Sequence, residues 1–187
     1  KKSSSKKSSS KKSSSKKHVA KKSETEKSST MKSDGWCESF SLALSRDGEN
    51  WHDCGLFNGN RDGKSVVFNE MDQLQFARYV RFTMKKCNVD KPSKKIWGNL
   101  RVEVYVTGSH WLATGVQNGA LNIKASGSCK DYSPSNARLY SKECWCPAND
   151  SSDETQWIEV DLKSAQPVVG VATQGHTPHW GRFEIGA

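Results

Sequence analysis

Apolar and polar positions alternate in short runs through most of the chain. Phe40, Leu42 and Leu44 are interleaved with Ser41, Ala43 and Ser45, the period of two expected of a half-buried strand. Asp47-Gly48 follows, a favoured tight-turn pair. After Asp62-Gly63, another turn signal, comes the apolar run Val66-Val67-Phe68. ARYVRF (residues 77–82) and LRVEVYV (residues 100–106) are rich in β-branched and aromatic residues. Trp157 to Leu162 alternates again, and Val168 to Ala172 reads as a buried run. No stretch holds a helical period beyond a turn or two. Short strands separated by turn signals predict an all-β antiparallel sandwich or barrel.

Residues 1–17 break this pattern altogether. They read KKSSSKKSSSKKSSSKK, without a hydrophobic side chain. Such a segment cannot offset the entropy of ordering its backbone, so residues 1–34 are expected to be a disordered Lys/Ser-rich tail. Composition sharpens the division. Of the chain's 29 Lys and Arg, 12 lie in residues 1–34, against Glu24, Glu26 and Asp34. The tail therefore carries the whole net charge of +9, and the remainder is balanced. That balance speaks against a basic nucleic-acid groove in the folded part. The tail itself suits a solvated spacer or an arm for polyanionic surfaces. Its 13 serines would make such an arm switchable, since each phosphate adds about −1.5 to −2 charges. No apolar stretch is long enough to span a membrane. The visible start does not read as a signal peptide.

Several motifs within residues 35–187 carry a family likeness. They are Asn136-Ala137-Arg138-Leu139, Trp145, Gln156 to Leu162 (QWIEVDL) and Thr173-Gln174-Gly175. Gly115 to Leu121 (GVQNGAL), Gly35 to Trp51 (GWCESFSLALSRDGENW) and the pair ARYVRF and LRVEVYVTG add to them. Together these resemble the discoidin domain, the C-type domain of coagulation factors five and eight. The resemblance implies a discoidin-like jelly-roll sandwich, a non-enzymatic recognition role and a secreted, extracellular setting. The halves stand in reversed order: residues 35–108 resemble the family's C-terminal half and residues 109–187 its N-terminal half. Either the chain is one circularly permuted sandwich, or it carries two half-domains of a tandem array. A lone half would leave one sheet face bare. Closure would bring Thr173–Gly175 beside Trp36 and place Phe40–Leu44 in the sheet that holds Val168–Ala172. The strand-like stretch Phe183–Ile185 would then be surplus.

Cys37, Cys54, Cys87, Cys129, Cys144 and Cys146 allow 15 pairings. They match no zinc spacing, and the extracellular setting implied by the resemblance makes disulfides the expectation for all six. Cys144-Trp-Cys146 with His176 and His179 offers thiolates and imidazoles, but in neither spacing of a zinc finger, so no metal is assigned. Asn149-Asp150-Ser151 is the single glycosylation sequon. No GxSxG, HExxH or P-loop spacing is present, and neither enzyme chemistry nor a cofactor is expected.

In the discoidin family, loops at one end of the sandwich meet ligands. Carried onto this chain, the first is Ser126–Ser133 with Lys130 and Tyr132. The second is Tyr140–Cys144 with Lys142 and Glu143, and the third is Gly175–Trp180 with His176, His179 and Trp180. A short first loop with one tyrosine argues against membrane insertion and for an extracellular glycan or protein ligand. The alternative function is a structural matrix protein, held to mineral or acidic polymers by its tail. An accessory domain of a larger enzyme is a third reading.

Overall fold

The computed structural model describes residues 34–88, 98–107, 112–113, 115–116, 119, 121–148 and 156–177. The Lys/Ser tail through residue 33, Asn149, His179, Trp180 and Phe183–Ile185 lie outside the described residues. Among the described residues seven strands carry the fold: β1 (Cys37–Ser45), β2 (Trp51–Asn58), β3 (Val66–Cys87), β4 (Arg101–Val106), β5 (Leu112–Ala113), β6 (Asn122–Ala125) and β7 (Trp157–Gln174). A single 3₁₀ turn spans Pro134–Asn136, and there is no α-helix among the described residues.

β1 and β2 form a hairpin whose turn follows from its sequence. Asp47 accepts the backbone N–H groups of Glu49 and Asn50 at 2.9 and 2.8 Å. Gly48 takes a φ of 84°, the left-handed conformation that glycine adopts without steric cost. The strand order is β2-β1-β3-β7-β4-β5, with β6 also pairing to β7, and every pairing is antiparallel.

The two long strands serve both layers. Tyr79–Thr83 of β3 pairs with Trp157–Asp161 of β7, and that part of β7 also pairs with β6. Past a register shift, Val66–Glu70 pairs with Gly170–Gln174, and that part of β7 also pairs with β4. One layer thus runs β2, β1, β3 and β7 to β6, and the other runs β3 and β7 to β4 and β5. The result is an antiparallel β-sandwich.

Inward-facing positions of both layers fill one core. Phe40, Leu42 and Leu44 of β1, Val80 and Phe82 of β3, and Ile158, Val160 and Leu162 of β7 belong to it. So do Val102, Val104 and Val106 of β4 and Val168 and Val171 of β7. The alternation predicted for Phe40–Leu44 is what buries them, because successive strand side chains point to opposite faces. β1 and residues 168–172 pair with different parts of β3, β1 with Tyr79–Cys87 and residues 168–172 with Phe68–Gln75, so the long strand links them across the two layers. Gly35 N donates to His176 O at 2.9 Å and His176 N to Gly35 O at 2.8 Å. A Cβ on Gly175 would stand 2.6 Å from the Trp36 Cβ, so this approach admits only glycine.

Candidate functional site

At the Gly35 and His176 end of the sandwich, three loops converge on Arg101, the first residue of β4. Its guanidinium donates to Gly175 O and Gly63 O, the Gly63 bond at 3.0 Å, and to Ser141 O at 2.8 Å. All these partners are carbonyls. The side chain is buried, and burial lowers the Arg101 pKa from its ordinary value. Arginine nevertheless stays protonated, so a positive charge lies at the base of this end.

Gln174 is the second tie. Its amide donates to Lys64 O at 2.6 Å and accepts Tyr140 N–H at 2.8 Å. His176 Nε2 lies 3.0 Å from Lys142 O. The loop of residues 59–65 is held by Asp62, which accepts the N–H groups of Lys64 and Ser65 at 2.7 and 2.6 Å. These bonds to the charged form lower the Asp62 pKa. Gly63 packs so closely on His176 that a Cβ would lie 2.7 Å from its backbone.

A cavity of about 390 Å³ opens between these loops, lined by Gly63, Lys64, Arg101, Tyr140, Ser141, Lys142, Gln174, His176 and Thr177. Among the described residues three cations line it and no carboxylate does. Tyr140 stands 68% exposed at its rim, with a φ of 60°. The arrangement offers an anion-accepting floor beside an exposed ring.

The structure brings together Lys142 and His176 of the sequence-derived set. Glu143 is half-buried beside the cavity and does not line it. Lys130 is exposed on the first loop, also outside the lining. Tyr132 is only 7% exposed and packs with Cys129, Cys144 and Cys146, so its ring faces the interior rather than a ligand. Among the described residues the exposed aromatic at this end is Tyr140, the first residue of the second loop, next to the Asn-Ala-Arg-Leu motif. Sequence reasoning also missed Lys64 and Arg101. Lys64 belongs to a turn read only as a turn, and Arg101 stands among the polar positions of a strand, where a charged side chain reads as solvent-facing. Among the described residues no cluster of His, Cys, Asp and Glu is arranged to hold a metal ion.

Comparison with known proteins decides the family. Residues 14–103 match the F5/8 type C domain. The chain belongs to the F5/8 type C family. It is 30% identical over 159 residues to coagulation factor V of Pseudonaja textilis, covering 74% of this chain and 10% of that protein. It is 30% identical over 156 residues to coagulation factor VIII of Sus scrofa, covering 73% of this chain and 7% of that one. Neuropilin-2 of Mus musculus is 30% identical over 157 residues, with 74% of this chain and 16% of neuropilin-2 covered. The chain thus spans a small part of the curated relatives it matches. No solved structure matches it. F5/8 type C domains are extracellular, non-catalytic binding modules, and one relative is named as the non-catalytic subunit of a venom prothrombin activator. The F5/8 type C domain that it carries is a non-catalytic binding module. No helix among its described residues is long and apolar enough to cross a membrane.

Proposed function

We propose that this F5/8 type C chain is a secreted adhesion module whose three-loop cavity takes an anionic group of an extracellular glycan or protein. The observation that carries this reading is the lining: Lys64, Arg101 and Lys142 around one space, an exposed Tyr140 at the rim, and no Asp or Glu among the described residues. Arg101 already serves three backbone carbonyls, so it supplies field rather than a free hydrogen-bonding fork. Lys64 and Lys142 supply the mobile donors. Tyr140 supplies a face on which a sugar ring or an apolar side chain can rest. The Lys/Ser tail adds a second, less selective attraction to polyanions.

A sulfated disaccharide and its desulfated counterpart, titrated by calorimetry, test the reading. The sulfated sugar is expected to bind and the neutral one to fail. Lys142→Ala should weaken binding about tenfold, the loss of one charge-assisted hydrogen bond. Removing residues 1–33 should leave this affinity in place at physiological salt. Binding that disappears with the tail, and is indifferent to Lys142→Ala, would favour the matrix-protein alternative in which the tail is the agent.

A further inference from the structure

Two pairs of cysteines are brought together by backbone pairing, one in the sheet and one beside the ligand loops. Cys37 of β1 stands directly opposite Cys87 of β3. Opposed residues of an antiparallel pair have Cα atoms about 4.5–5.5 Å apart, inside the range of about 4.4–6.8 Å that a disulfide spans. In the second pair, Cys129 N donates to Cys146 O at 2.9 Å, and the two Sγ atoms lie 3.2 Å apart. Closing that gap to a bond of about 2.0 Å takes side-chain rotation rather than backbone movement.

The other two cysteines are placed differently. Cys54 lies on β2 opposite the bulge between Ser41 and Ala43. That is several residues along the sheet from Cys37, at about 3.4 Å per residue, and out of bridging range. Cys144 is fully buried in the same cluster as Cys129 and Cys146, whose sulfurs already face each other at 3.2 Å, so no sulfur is left to bridge it.

We infer that Cys37 is bridged to Cys87 and Cys129 to Cys146, while Cys54 and Cys144 remain thiols. This narrows the expectation of six oxidised cysteines to four, and it does not rest on the ligand reading above.

Each pair has one half-exposed and one buried member: Cys87 with Cys37, and Cys129 with Cys146. The half-exposed thiol is the point of entry for an oxidant. At Cys87 the neighbouring Cys37 thiol donates to the sulfur and lowers its pKa. The oxidant is a small disulfide of the glutathione class. The Cys87 or Cys129 thiolate attacks one of its sulfurs, and one small thiol leaves. The buried partner then loses its proton to water and attacks the protein sulfur of the mixed disulfide, expelling the second small thiol. For each bridge two protein thiols are oxidised and one small disulfide is reduced. The first bridge staples the start of β1 to the end of β3. The second fastens the loop of residues 126–133 to the segment that follows the Lys142 loop.

Tryptic mapping of the full chain tests this. The protein is refolded with oxidised and reduced glutathione, alkylated unreduced in denaturant, and digested. Peptide 33–46 should be found joined to 87–94, and 125–130 joined to 143–163, with the alkyl label on Cys54 and, by fragmentation, on Cys144. Reduction should release all four peptides. Cys144→Ser should keep both linkages, and Cys146→Ser should remove only the second. Six alkylated thiols, a Cys129–Cys144 linkage or a bridge involving Cys54 would each overturn the assignment. If Cys146→Ser yields no soluble protein, the fragmentation spectrum of the unsubstituted chain decides alone.

Discussion

Trp145 is fully buried, and its indole Nε1 donates to Gly127 O at 2.9 Å and Ser128 Oγ at 3.1 Å. Its backbone pairs with Leu100 in both directions, at 3.0 and 3.2 Å. One residue therefore holds the first loop, the cysteine segment and the approach to β4 together. Trp145→Ala should cost about 3–5 kcal/mol, as truncation of large buried aromatics does. Urea unfolding followed by circular dichroism reads that cost, and a loss under about 1 kcal/mol would mean the loops carry themselves. The sequence supports Trp145 as core, because it sits in a family motif beside strand-like residues. It does not distinguish Tyr132, which is buried, from Tyr140, which is exposed. Both are tyrosines in polar loops, and only tertiary placement against Cys144 and Cys146 separates them. Arg101 was hidden for a related reason. A charged residue opening a strand reads as solvent-facing until the carbonyls of Gly63, Ser141 and Gly175 are folded onto it.

The strands themselves were legible from alternation, but their continuity was not. Val66–Phe68 and Ala77–Phe82 read as two strands, as do Trp157–Leu162 and Val168–Ala172. Each couple is one strand, β3 or β7, interrupted only by shifts of register. Exposed Asp72, Gln73 and Leu74, and Lys163 with its φ of 68°, mimic turn signals. The pairing nevertheless resumes on the far side, because each long strand has the other as partner. On the outer face the two strands are also joined by charge. Arg78 donates to both oxygens of Asp161 at 2.8 and 3.0 Å. Arg81 bonds Glu159 at 2.9 Å and lies between the Trp51 and Trp157 rings, 3.8 and 4.6 Å from their centroids. Arg81→Ala should cost about 1–2 kcal/mol by losing a desolvated cation–π sandwich with its ion pair. Arg81→Lys should recover only part of it, because an ammonium cannot stack between two planes.

The Asp161 carboxyl also sets a pH dependence. The hydrogen bond from Arg78 lowers its pKa below the ordinary 3.8. A depressed folded-state pKa contributes stability that is fully present above the unfolded value and is lost as pH falls through the folded one. Asp161→Asn should therefore destabilise the protein at pH 7, and its deficit against the unsubstituted chain should shrink as pH drops below 3.8. Thermal melts at pH 7, 4 and 2.5 measure this directly. A deficit constant across the three would mean that the carboxylate charge contributes nothing.

At the scale of the molecule, the pairing of β3 with β7 is what joins residues 35–108 to residues 109–187. Val66 to Thr83 of the first segment ladders with Gln174 to Trp157 of the second. The Gly35–His176 bridge and the Arg101 bonds to Ser141 and Gly175 add to that seam. We propose that the two segments are family halves in reversed order, set so by permutation of one domain or by the junction of two successive domains. The relatives bear on this, because each matches 73–74% of the chain in one alignment. Each segment is well under half of the 187 residues, so those alignments run through both in the order found here. That supports the successive-domain origin. Whatever the origin, separation should be ruinous. Residues 35–108 alone would expose the inner faces of β1 and β3, and residues 109–187 alone would leave both edges of β7 short of partners. Expressed apart, each segment should be unfolded or aggregated, and mixing them should recover β structure and a cooperative melt. If either alone melts cooperatively as a monomer, the seam is not what closes the core. If the intact chain is folded only as a dimer, β3 and β7 are pairing between copies, as exchange of identical elements allows.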